Sequence, residues 1–91
     1  MILKLIGAIK HTINTTNLNI SIEKNKLSIE YLFLDFKETK KIIEVISKQE
    51  LDQVLLKNNI VFQDSCVEIT NTNSNQFQIK YKAILTDNLV V

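Results

Sequence analysis

The sequence predicts an α+β fold: a mostly antiparallel sheet of four to five strands with two short central helices packed on one face, and a third beside them if the N-terminus is helical. Three observations point there. Residues 18–31 and 66–83 alternate apolar and polar side chains at the period of a half-buried strand, and each stretch is interrupted once by turn-forming residues. Between them, residues 37–58 place apolar side chains at helical intervals. The 91 residues are 45% hydrophobic and 23% charged, an ordinary globular balance with room for one core and one domain, 1–91.

The elements follow in chain order. Ile2, Leu5, Ile6, Ile9 and Ile13 fall at helical spacing, opposite Lys4, Gly7, Lys10, His11 and Asn14, which favours an amphipathic helix. Gly7 and the isoleucines keep a first strand as the alternative. After a loop at 14–17, Leu18, Ile20 and Ile22 alternate with polar residues, Lys24-Asn25-Lys26 turns the chain, and Leu27, Ile29 and Tyr31 resume. The run from Leu32 to Phe36 is apolar on both faces apart from Asp35, as in a central strand covered on both sides near its end.

In the middle, Asp35 with Glu38 and Ser47 with Glu50 have the spacing of N-terminal capping boxes. Ile42, Ile43 and Ile46 define one apolar stripe; Leu51, Val54 and Leu55 define another about half a turn away on a continuous helix. Two helices, 37–46 and 48–58, broken at Ser47, are therefore expected, with Asn58-Asn59 as the stop. The closing hairpin, with 71–75 as its loop, sets Ile69 opposite Phe77, Val67 opposite Ile79 and Glu68 opposite Gln78. Residues 60–62 add a short strand before it.

Composition narrows the chemistry. All 11 basic residues are lysine, and arginine, proline and tryptophan are absent, at a formal net charge of +1. Missing arginine counts against bidentate phosphate or guanine contacts. Heavy use of Ile, Asn and Lys also follows from AT-rich codons, so the composition points to an AT-rich bacterium, phage, virus or organelle. With Gly7 the only glycine, P-loop and dinucleotide cradles are excluded. No apolar run reaches membrane-spanning length, no secretory signal opens the chain, and the single Cys66 fits a reducing compartment. The expected location is cytoplasmic.

Candidate chemistry is sparse. Cys66 and His11 are the only candidates for nucleophilic catalysis, with nothing in the sequence to bring them together; Cys66 is expected on the outer sheet face near Lys80 and Lys82, packed or inert rather than catalytic. One histidine and one cysteine, with acidic residues at no calcium-loop spacing, point to no metal, and no cofactor is expected. Lys37, Lys40, Lys41, Lys48 and Lys57 on the helices, with Lys80 and Lys82 on the last hairpin, outline a winged-helix-like nucleic-acid surface, interrupted by Glu38, Glu44, Glu50 and Asp52. The leading expectation is a non-enzymatic protein-interaction module that binds a protein partner or self-associates as a homodimer, in the manner of a phage or mobile-element inhibitor or assembly factor. Its contact is placed at a sheet edge or the apolar chain ends, Met1 to Leu5 and above all the uncharged Leu89, Val90 and Val91. The alternatives are the lysine-based nucleic-acid binder and a small enzyme using Cys66.

Overall fold

The computed structural model describes residues 2–13, 15, 17–34, 39–73 and 76–86. Their order is α1 (Ile2–Thr12), β1 (Asn19–Glu23), β2 (Lys26–Leu34), α2 (Lys40–Lys57), β3 (Phe62–Asn73) and β4 (Gln76–Leu85). The strands form one antiparallel sheet in the order β1-β2-β4-β3, with both helices on one face. The α+β class stands. The described residues hold two helices rather than three: the N-terminal one, and a single central one in place of the expected pair.

Outside the irregularities of β3 at Phe62/Asp64 and Asn71/Asn73, period-two alternation sorts the strand residues to a side. Toward the helices lie the cross-strand rows Ile22–Leu27–Ala83–Ser65 and Ile20–Ile29–Tyr81–Val67, followed by Tyr31–Ile79–Ile69. Leu27, Ile29, Ile79 and Tyr81 are fully buried there, and Leu5 and Ile9 of α1 with Leu51 and Leu55 of α2 close the core. The other face is open. Its rows are Glu23–Lys26–Ile84–Asp64, Ser21–Ser28–Lys82–Cys66 and Asn19–Glu30–Lys80–Glu68. Leu32, on that side opposite Gln78, is only half-buried, so the expected cover on both sides of β2 is partial; Phe36 lies outside the described residues.

Two expectations need correction. The last hairpin is shifted by two residues: Ile69 faces Ile79, Val67 faces Tyr81 and Glu68 faces Lys80. The strands run further than expected, to Asn73 and from Gln76, because Asn and Thr extend the ladder instead of ending it. A shift of two preserves side-chain parity, so Phe77, Ile79 and Tyr81 are buried as the pattern required. The expected short strand at 60–62 reduces to Phe62, the first residue of β3.

The larger correction concerns α2, which runs unbroken through Ser47. It starts at Lys40, where Thr39 in extended conformation caps it by accepting from the Ile42 amide at 3.3 Å. Asp35 and Glu38 lie outside the described residues. The buried stripe is Ile43, Ser47 and Leu51, about one turn apart, followed by Val54 and Leu55 a turn further on. Ser47 is a polar member of that stripe, 5% exposed, with its hydroxyl toward Tyr31. The helix ends where the asparagines predicted. Asn59 takes the left-handed conformation (φ 61°), its amide donates to Leu56 O, and the Ile60 amide donates to Leu55 O at 2.9 Å. These are the paired bonds of a Schellman ending.

Candidate interaction surface

The polar groups nearest to a designed site bind α2 to the sheet. Tyr81, central in the sheet and fully buried, donates its hydroxyl to Asp52 Oδ1 at 2.6 Å, and Lys48 Nζ donates to Oδ2 at 2.8 Å. Burial pushes the Asp52 carboxyl up, but hydrogen bonds from Lys48 and Tyr81, with Ser65 nearby, outweigh it and leave the group below its ordinary value. Burial, reinforced by the Asp52 charge, pushes the Tyr81 phenol well up. Ser65 Oγ is buried beside both without a partner in hydrogen-bond geometry. Tyr81, Asp52 and Lys48 hold one another, and the physical role of this network is to fix the helix over β3 and β4.

The open sheet face carries the candidate nucleophile. Cys66 is exposed there, cross-strand from Lys82, beside a shallow trough of about 440 Å³ lined by Ser21 and Ser28. His11 lies on the opposite, helical side, in the groove between α1 and α2 with Glu50 and Gln53. The fold therefore separates the thiol from the only imidazole. Among the described residues, no three His, Cys, Asp or Glu side chains gather around a common point.

The lysines divide likewise. Lys40, Lys41, Lys48 and Lys57 belong to α2, whereas Lys80 and Lys82 project from the open sheet face behind it. Lys48 is paired with Asp52, and Lys80 with Glu30 at 3.4 Å. Lys37 lies outside the described residues. The helix–break–helix unit behind the winged-helix comparison is one continuous helix, so these residues do not assemble on a shared face.

Leu89, Val90 and Val91 also lie outside the described residues. The sheet edges are β1 and β3, and β4, which leads toward that chain end, is paired on both sides. Thr86, the last described residue, is tied to the start of β3: its amide and hydroxyl both donate to Val61 O, at 3.0 and 3.1 Å.

The surface that sequence reasoning missed is the outer side of α2. Ile42, Val45, Ile46 and Leu56 are 43%, 49%, 52% and 54% exposed, and Gln49 and Gln53 continue the stripe between them. The expected stripe of Ile42, Ile43 and Ile46 divides: Ile43 is buried, and Ile42 and Ile46 face outward. The signal was present as a second apolar stripe on a helix that already owned one. Among the described residues, no helix is long and apolar enough to cross a membrane. Comparison of the chain with protein-family models, with curated proteins and with solved structures finds no match.

Proposed function

We propose that this chain is a non-enzymatic protein-interaction module, and that α2 presents the contact surface. One observation carries the reading: a helix with a complete buried stripe also bears four large aliphatic residues on its solvent side, at 43–54% exposure. Scattered exposed aliphatics are ordinary, but alignment along one helix face is the arrangement that a partner's apolar surface covers. The chain end, Leu89 to Val91, is the second proposed contact. The module works by presenting a rigid apolar ridge, anchored beneath by Ile43, Leu51 and Leu55 and by the Tyr81–Asp52 bond.

Affinity capture from an extract of the source cells tests this, with the wild-type chain compared against Ile46→Glu. Partners that the substitution releases support the module. Retention only of nucleic acid, lost steeply with added salt, supports the lysine-based alternative instead. Anisotropy titrations with short duplex and single-stranded oligonucleotides at low and high salt provide the parallel arm.

A further inference from the structure

We propose that the outer face of α2 pairs, parallel and in register, with the same face of a second copy of this chain. The inference deepens the preceding reading and rests on it. Its first support is spacing. Ile42, Ile46, Gln49, Gln53 and Leu56 are separated by steps of four, three, four and three residues. That alternation keeps one seam turned toward a neighbouring helix across two heptads. Ile42, Ile46 and Leu56 are the exposed aliphatics of this seam, Gln49 and Gln53 are exposed as well, and none of the five is charged. The seam is separate from the stripe that α2 gives to its own core, Ile43 to Leu55. One helix thus carries two faces, and only one is covered.

The second support is polarity. In a parallel, in-register pair every seam residue meets its own copy, so Ile46 packs on Ile46 and Gln49 on Gln49. A glutamine amide offers both donors and an acceptor, so two facing amides satisfy each other. An antiparallel pair also matches like with like, Ile46 on Leu56 and Gln49 on Gln53, so polarity fits a second copy in either direction and the cysteine pairs below test which one forms. The third support is charge. In a parallel pair the residue flanking one seam position lies beside the residue five further along on the other helix. Here that pairing is Asp52 with Lys57 of the second copy, formed twice by the two-fold axis. Lys57 is exposed, and Asp52 is held ionised by Lys48 and Tyr81.

Two heptads make a small interface, below the ~1,200 Å² of the smallest stable complexes, so association is weak, with a Kd on the order of 100 µM. Sedimentation equilibrium of the full chain from about 10 µM to about 1 mM brackets that value. The expected result is a mass rising from monomer toward dimer. Ile46→Glu should raise the Kd by at least about tenfold with an unchanged circular dichroism spectrum. Cysteine variants fix the direction, all in a Cys66→Ser background. Gln49→Cys alone should form a disulfide-linked dimer on mild oxidation. Ile46→Cys mixed with Leu56→Cys should give only like-with-like dimers. Mixed dimers in that second experiment overturn the parallel register, and a strict monomer at the highest concentration overturns the pairing. A monomer whose protein capture is still abolished by Ile46→Glu ends this inference and leaves the interaction module standing. A monomer that retains only nucleic acid ends both.

Discussion

Tyr81 is fully buried, yet its hydroxyl ends on the Asp52 carboxylate, and that bond shows how much a single core position decides here. Tyr81→Phe preserves the ring and removes one donor from a charged acceptor, so it should destabilise by about 1.5–3 kcal/mol in denaturant titration. The same carboxylate sets an acid limit. Its pKa is lower folded than unfolded, so its contribution is complete above the unfolded value of about 3.9 and is lost as pH falls through the folded value. Asp52→Asn should therefore flatten the decline of the melting temperature below about pH 4. Glu50 acts in the opposite sense, because burial raises its pKa and protonation favours the fold. Gly7 gives a stabilising test: it lies mid-helix in α1, exposed, with nothing within 4 Å of an added Cβ. Gly7→Ala should raise stability by about 0.5–1 kcal/mol. Sequence reading reached none of the Tyr81 network, because a Tyr on β4, an Asp on α2 and a Ser on β3 become neighbours only once the layers stack.

At the scale of elements, α2 shows why local grammar can mislead. Ser47-x-x-Glu50 fits a capping box, but it fits a helix interior equally, and a four-residue motif cannot choose between them. The longer pattern chooses: Ile43, Ser47 and Leu51 are four apart and share one face, and a serine there is tolerated because Tyr31 lies beneath it. Ile42 and Ile46 then fall to the outside, where apolar character reads as core to any rule that counts hydrophobic residues. The asparagine stop was legible because left-handed geometry favours few residues. Asn59→Ala should destabilise by about 1 kcal/mol, while Asn59→Gly should be neutral or stabilising, as thermal melts would show. In the closing hairpin, parity was readable and register was not, since the Asn-Thr tract offers several equivalent turns. Phe77→Ala should cost about 3–5 kcal/mol, whereas Lys80→Ala on the open face, paired only with half-exposed Glu30, should change stability by less than about 1 kcal/mol.

Over the whole molecule, one layer of helices on one face of a sheet leaves two unlike exteriors. The open sheet face is mainly polar, with Ile84 and Cys66 set among lysines, acidic residues and serines, and Lys80 there pairs with Glu30 across strands. The helical exterior holds the apolar ridge. This contrast was invisible in the overall composition, where apolar residues of the ridge and of the core count alike. The two proposed contacts are distinct in sequence: the ridge belongs to α2, and Leu89 to Val91 follow Thr86. Association that favours the folded state raises the unfolding midpoint with concentration. If the ridge is the contact, the midpoint should climb between dilute and millimolar protein, and Ile46→Glu should remove that climb without lowering the dilute-limit value. Deleting Leu89 to Val91 should leave the climb intact. Should the deletion abolish it and Ile46→Glu spare it, the contact belongs to the chain end and the ridge is solvated surface. Differential scanning calorimetry of the three chains over one concentration series separates these outcomes. A bystander substitution at a half-exposed helix position shifts all midpoints together, and only loss of an interface changes their slope.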